Sequence, residues 1–287
     1  MTTTAKIIAD SISPFTGDRL TTMQLRYPRF IHAEFMTHRQ FSRNASSSRA
    51  IPVERLIQDV LDDPAIPTHW GKNQPGMQAR EEHDAPVVFR NDQVPAEIAW
   101  TRARDVAVDA ARRFAKAGYH KQVANRLLEP FAHINVVVTA TDWDNFFLLR
   151  DHPDADPSIQ LLARAMREAM DNSAPAVLDR DFGWHLPYID LDVDMPAIRD
   201  ATGVTDTDGL YEYTAKVSAA RCARTSYLTH DGRRSTVDED LPLYSRLVGA
   251  KIKHASPLEH QAKPQAGRWA NFQGWRSFRN IMEDYWS

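Results

Sequence analysis

Apolar residues along this chain recur with two periods, and the switches between them mark out its elements. Lys6-Ile7-Ile8-Ala9, closed by Ser13-Pro14 and the turn residues Thr16-Gly17-Asp18, predicts a short strand, and the loose alternation from Leu20 to Tyr27 predicts a second. Pro28 suits the first turn of a helix, and the apolar segment Phe30 to Met36 carries that helix to about Thr37. Leu56, Ile57, Val60 and Leu61 share one face of a helix over Val53 to Leu61. Pro64, Pro67, Pro75, Pro86 and Pro95 leave 62–95 irregular; with His69 to Met77 at its centre, this stretch reads as a ligand-covering loop.

Ala96 to Ala117 predicts a long helix stopped by Gly118, and His120 to Leu128 a second one ended near Pro130. The β-branched run Ile134 to Thr139 predicts a buried strand, and Asp142 is placed to cap a short helix over Trp143 to Arg150. Asp156-Pro157 opens a helix to Met170. Residues 172–209, rich in Asp and Pro, read as a connector, followed by helices at Thr214 to Ala223 and Asp238 to Lys251. Phe272, Trp275, Arg279, Met282 and Trp286 recur at helical intervals, so 261–287 reads as an aromatic helical extension docked by one face. No internal repeat is visible.

Composition narrows the picture. With 287 residues, 43% hydrophobic and 25% charged, the chain has enough apolar material for a full core, as one large domain or two smaller ones. A net charge of −3 supplies no general basic field, so a main role on nucleic acid is disfavoured. The single cysteine, Cys222, excludes an internal disulfide and a Cys-rich zinc site; it reads as a buried small hydrophobe and points to a reducing, cytoplasmic setting. No apolar run approaches the ~20 residues of a membrane span, and no signal-peptide core opens the chain. His69, His83, His152, His185 and His230 lack metal-ligand spacing, and neither a Gly-x-Gly-x-x-Gly nor a Walker loop is present. The expectation is no metal and no dinucleotide fold of the Rossmann kind.

Candidate chemistry concentrates between Thr37 and Arg49. A His-Arg pair, His38-Arg39, leads into Gln40-Phe41-Ser42-Arg43-Asn44-Ala45-Ser46-Ser47-Ser48-Arg49. Guanidinium forks with hydroxyl and backbone donors suit a planar, anionic ligand.

Arg39, Ser42, Asn44, Ser47 and Arg49 resemble, in type and spacing, the signature of the flavin-dependent thymidylate synthase (ThyX) family, Arg-His-Arg followed after seven residues by Ser and, two places on, Arg. Further segments resemble the same family. These are His254-Ala255-Ser256-Pro257-Leu258-Glu259-His260, Ala223-Arg224-Thr225-Ser226-Tyr227, Gln122 to Pro130 with Arg126, and Asn145 to Arg150 followed by Gln160. Together they span most of 20–170 and 214–260. In the family the Ala-Arg-x-Ser and Glu-His segments precede the Arg-His-Arg segment, whereas here they follow it. The resemblance therefore implies a circularly permuted arrangement, in which Leu20 to Tyr27 takes the strand that should leave His260 and 172–209 joins the former ends.

The fold implied is α+β, a single domain over 1–287 with a central, mostly antiparallel sheet packed by long helices. The activity implied is methylation of dUMP at C5 to give dTMP, with methylenetetrahydrofolate as carbon donor, FAD as hydride carrier and NADPH as reductant. Carried over by position, Arg150, Ser47 and Arg49 are the catalytic candidates. Flavin contacts fall on His38, Arg39, Asn145, Ser226, His254, Ser256 and Glu259; nucleotide contacts fall on Ser47, Ser48, Arg49, Arg126 and Arg150. A homotetramer with shared sites is also implied. Thr37 replaces the signature's first Arg, Glu34 stands where the family has a nucleotide-binding Gln, Ala45 where it has Glu, and Thr139 and Thr141 near its Asn and Arg. Those departures leave open another pyrimidine nucleotide such as dCMP, a hydroxymethyl product, or a flavin- or nucleotide-binding homologue without catalysis.

Overall fold

The computed structural model describes residues 3–225 and 233–286. The chain opens with strands β1 (Thr4–Ile12) and β2 (Arg19–Pro28), then a 3-10 turn at Arg29–Ile31 and a single helical turn, α1 (His32–Phe35). Strand β3 (Ser42–Ala45) and helix α2 (Val53–Asp62) follow. Within the proline-rich stretch lies a small hairpin, β4 (Val87–Phe89) and β5 (Asp92–Val94), and then the long helix α3 (Ala96–Lys116), ended at Gly118 with φ +86. Next come α4 (Lys121–Ala124), a 3-10 helix at Asn125–Phe131, β6 (His133–Ala140), α5 (Asp144–Arg150) and α6 (Pro157–Asp171). The C-terminal third holds β7 (Ala176–Val177), α7 (Leu191–Thr202), α8 (Thr207–Ala223), α9 (Val237–Gly249), a 3-10 turn at Ser256–Glu259, β8 (Ala262–Trp269), β9 (Phe272–Ser277) and α10 (Phe278–Trp286).

A five-stranded sheet in the order β3-β6-β2-β1-β7 organises the molecule. Its pairings are antiparallel except β1 with β7, which is parallel. The fold is thus mixed α+β. Side chains alternate across the sheet, and the alternation sorts them by chemistry. Met23, Leu25 and Tyr27 of β2 and Ile134, Val136 and Val138 of β6 face one side, where they pack on Phe35, Phe146, Ile159, Leu162 and Met166. This is the main apolar core, and each such fully buried side chain contributes ~1.5–3 kcal/mol. A satellite cluster joins α2 and α3 through Leu56, Ile57, Val60, Val108 and Leu128.

The opposite face of the same strands carries hydroxyls. Thr22 Oγ1 and Thr139 Oγ1 are 2.7 Å apart; Thr22 is hydrogen-bonded to His185 Nε2 at 2.8 Å and Thr139 to His260 Nδ1 at 2.8 Å. Ser11 Oγ completes the chain at 2.9 Å from His185 Nδ1. All five residues are buried. Burial pushes both imidazoles down to about 3, with Asp10 opposing the shift at His185 and His185 adding to it at His260. Both rings are therefore neutral at neutral pH. This polar chain fastens the sheet to the C-terminal third, which adds the antiparallel backbone bonds His185 N to Ala262 O at 2.9 Å and Ala262 N to His185 O at 3.2 Å.

Several elements differ from the expectations. The helix expected from Phe30 to Thr37 shrinks to a 3-10 turn and α1, since the aromatic side chains Phe35 and Phe41 are drawn into the core and the backbone turns at Met36 to His38. His120 to Leu128 is α4 plus a 3-10 helix that runs through Pro130. Asp142 makes no cap: the N-cap of α5 is Trp143, without a side-chain bond. Asp156 does cap α6, accepting from the amides of Ser158 and Ile159. The stretch 172–209 carries β7, α7 and the first turn of α8.

The tail is the largest correction: among the described residues of 261–287 only Phe278–Trp286 is helical, and an antiparallel hairpin precedes it. Gly274, at φ +75, sits within β9 and lets Phe272 and Trp275, three apart, both face inward onto Leu20 and Ala262. That spacing imitates a helix. A Cβ at Gly274 would collide with Thr16 and Asp18.

Two outcomes follow from the polar face. Thr139→Val strips His260 and Thr22 of their shared partner, and is expected to cost about 1–3 kcal/mol in urea unfolding at pH 7. Because folding depresses the His185 and His260 values from 6.5 to about 3, the unfolded chain binds protons that the native one refuses. Stability is therefore fully present above about pH 6.5 and lost as the pH falls toward 3, read as a decreasing urea midpoint across that window.

Candidate active site

Residues 34–49 form one continuous run that starts at the end of α1, pairs with the sheet edge as β3 and leaves through the serine loop. Ser42, Arg43, Asn44 and Ala45 pair with Thr139, Val138, Val137 and Val136. Three polar clusters lie along it.

The first surrounds Arg150, at the C-terminal end of α5. Its Nε donates to His38 Nε2 at 3.0 Å, Nη1 to Glu34 Oε2 at 3.4 Å and Nη2 to Thr37 Oγ1 at 3.3 Å. All three nitrogens are thus engaged by α1 and the turn after it. His38 is buried and stacks edge-on against Phe146 at 4.9 Å. Burial, then the Arg150 and Arg43 charges, push it down to about 4. The ring is neutral, and accepting at Nε2 places its own proton on Nδ1. Burial and the Asp156 carboxylate raise Glu34 above the usual carboxylate range, while Arg150 opposes them. Glu34 is paired, so its carboxylate does not stand as an uncompensated charge. Arg43 Nη1 closes the turn by donating to Met36 O at 2.9 Å and His38 O at 3.0 Å.

The second cluster flanks β3. Asn44 Nδ2 donates to Cys222 O at 2.7 Å, tying the strand to the end of α8, and Asn44 Oδ1 accepts from Ser256 Oγ at 3.5 Å. Glu259 accepts from Arg279 of α10. Burial lowers the Arg43 guanidinium, and Tyr27 and Glu259 oppose that shift.

The third cluster ends the run. Glu129 accepts from Ser48 Oγ at 2.6 Å and holds Arg29 at 3.1 Å and Arg126 at 3.4 Å. Asn125 Nδ2 donates to Ser48 O at 2.7 Å and Ile51 O at 2.9 Å, fixing the loop backbone.

Of the residues expected to act together, the structure joins His38 directly to Arg150, and Ser48 to Arg126 through one carboxylate. Ser256 reaches β3 through Asn44. Ser47 Oγ accepts from the Arg49 amide at 3.3 Å. Arg39, Arg49, Asn145 and His254 are exposed, and their side chains make no hydrogen bond to another expected residue among the described ones. Ser226 lies outside the described residues, as does Tyr227 of its segment. Cys222 is buried, with its thiol pushed far up by burial, which leaves no thiolate for nucleophilic work. Sequence reasoning missed Arg43, Glu129 and Arg279. Glu129 stands in the segment already read for Arg126, so a paired carboxylate three residues on was the available signal.

The family model for "thymidylate synthase complementing protein" matches residues 18–176. The chain belongs to that family. Membership makes it a thymidylate synthase-like methyltransferase, and the match contains the whole of 34–49 together with Arg126 and Arg150. Among curated proteins none matches. Among solved structures, the UMP/dUMP methylase PolB from Streptomyces cacaoi bound with 5-Br UMP is similar at 17% identity and TM-score 0.43, covering 59% of this chain and 88% of that one. The same methylase bound with 5-Br dUMP gives 19% identity and TM-score 0.38, covering 53% and 66%. At these scores the likeness carries no conclusion about this family member. Among its described residues no helix is long and apolar enough to cross a membrane, and no group of three or more His, Cys, Asp or Glu could hold a metal ion.

The wiring of Arg150 has a measurable sign. Its charge helps hold the His38 imidazole at about 4, so Arg150→Ala is expected to raise that value toward 6.5, followed by NMR of the ring protons across pH.

Proposed function

We propose that this protein methylates C5 of dUMP to give dTMP, taking the carbon from methylenetetrahydrofolate, with FAD bound and NADPH as the reductant. The observation that carries the reading is the Arg150 guanidinium, inside the family match, held by His38, Glu34 and Thr37 at the head of the serine loop. A guanidinium so restrained is pre-organised to orient a planar base and to stabilise charge developing on its carbonyl oxygens.

The donor set fits a flavin nucleotide. Arg39 and Arg49 are exposed guanidinia with no carboxylate partner among the described residues, which suits phosphate. Ser256 offers a hydroxyl held only at 3.5 Å, and Glu259 a carboxylate beside it in the chain. With Asn145, His38, His254 and Ser226, these would hold the cofactor, which supplies the hydride when bound. Ser47, Ser48, Arg49 and Arg126 would hold the nucleotide. Ser48 and Arg126 are engaged by Glu129, so a phosphate there must share or displace that carboxylate. The single-chain clusters leave Arg39, Arg49 and His254 at the surface, which supports a homotetramer with sites shared between copies.

We infer that the chain is one domain in a circularly permuted order. His260 is hydrogen-bonded to Thr139, whose partner Thr22 lies two residues into the strand that begins near Leu20. A chain in which 204–287 is placed ahead of 1–203 through a linker, so that every element is kept, is expected to be soluble and to bind flavin; an insoluble product would overturn the permutation.

Glu34 gives a second reading its own footing. A carboxylate acceptor beside a guanidinium donor also matches the amino-bearing edge of cytosine. Product mass from dUMP and from dCMP, each with methylenetetrahydrofolate and NADPH, separates the two and also reveals a hydroxymethyl product. Arg150→Ala is expected to lower turnover by about 10²–10³-fold with flavin still bound, and unimpaired turnover would sink the assignment.

A further inference from the structure

The C-terminal hairpin and α10 follow directly on the Ser256–Glu259 turn and fold back over the head of the serine-loop run. Arg268 donates to Gln40 Oε1 at 2.8 Å, Asn271 Nδ2 to Ser42 Oγ at 3.4 Å, and the Gln273 amide to Thr141 Oγ1 at 3.1 Å. Between this flap and the site lies a cleft of about 200 Å³, walled by Ser42, Glu259, Trp269, Asn271, Arg279 and Glu283 among others. Four of those six belong to the tail, so the cleft exists only because the tail is docked.

Arg279 is the cationic group of that wall. Its Nη1 donates to Glu259 Oε1 and its Nε to Glu283 Oε1 at 2.9 Å, the latter one turn along α10. One guanidinium thus bridges a carboxylate of its own helix and a carboxylate of the candidate site. α10 itself is anchored independently: Phe278 is buried against Trp184 and Tyr244, and its amide donates to Gln261 O at 2.7 Å. Arg279 is therefore held on a fixed platform, with Glu259 as the group it restrains. Oε1 of Glu259 is taken, while Oε2 has no hydrogen-bond partner among the described residues.

We propose that Arg279 is a positioning residue of the active site, fixing the Glu259 carboxylate so that its second oxygen accepts an N–H from a planar ring entering the cleft beside Trp269. This inference rests on the flavin reading above, and takes the tail to be part of the cofactor site. A guanidinium held on two carboxylates loses little freedom when a ligand arrives, so the ordering of Glu259 precedes binding. An exposed-edge ion pair of this kind adds little to folding stability.

The test titrates FAD into the full chain by flavin fluorescence, first with the wild type and then with Arg279→Gln and Arg279→Lys. Arg279→Gln is expected to weaken FAD binding about tenfold and to shift the visible spectrum of the bound flavin, with the thermal midpoint unchanged. Arg279→Lys, which keeps the charge and loses the fork, is expected to recover part of the affinity. Wild-type affinity and spectrum in Arg279→Gln overturn the inference and leave the flavin reading standing. A wild type that takes up no FAD strikes the flavin reading itself, and this inference with it.

Discussion

Four residue pairs, Ser42 to Ala45 against Thr139 to Val136, hold the chemistry-bearing run of this protein to the edge of its sheet. The polar side chains of residues 34–49 are positioned from that short ladder. α1 and its turn project His38 from one end, the serine loop leaves from the other, and Asn44 between them reaches both α8 and the Ser256 turn. A ladder of this length is weak alone. It persists because β6 is buried in the sheet interior and Phe41 is packed into the apolar core just before it.

The sheet's two faces divide the labour. One face is aliphatic and aromatic and supplies the stabilising burial. The other carries Thr22 and Thr139, and through them the neutral rings of His185 and His260. Fully buried hydroxyls and imidazoles are costly unless each finds a partner, and that demand selects one arrangement of the C-terminal third on the sheet. The apolar face gives stability with little directional preference, whereas the polar face sets which residues meet.

Charge along the run follows one rule: each engaged guanidinium has a carboxylate or a carbonyl that fixes it. Arg150 has Glu34, Arg126 and Arg29 share Glu129, Arg43 has two backbone oxygens, and Arg279 bridges Glu259 and Glu283. These pairs hold planar donors in fixed orientations before any ligand is present. Glu34 gains its meaning here, since a carboxylate that would repel phosphate is instead paired with Arg150 and anchors its guanidinium.

Local pattern in the amino-acid sequence determined a large part of this. Alternation and β-branching located β1, β2 and β6, Gly118 marked the stop of α3, Asp156 capped α6, residue type singled out 37–49, and resemblance to the family singled out the segments around Arg126, Arg150 and Glu259. Those features depend on interactions within a few residues, so they survive without the fold. The tail did not: Gly274 places aromatic residues three apart on one face of a strand, and only contact with Leu20, Thr16 and Asp18 distinguishes that from a helix. The same holds for Asn44 on Cys222 O, Thr139 on His260, Arg150 on His38 and Arg279 on Glu259, which link residues 20 to 178 positions apart. No local propensity encodes such pairs. They exist because a packed sheet brings distant segments within hydrogen-bond distance, and burial then penalises every polar group that fails to find its partner.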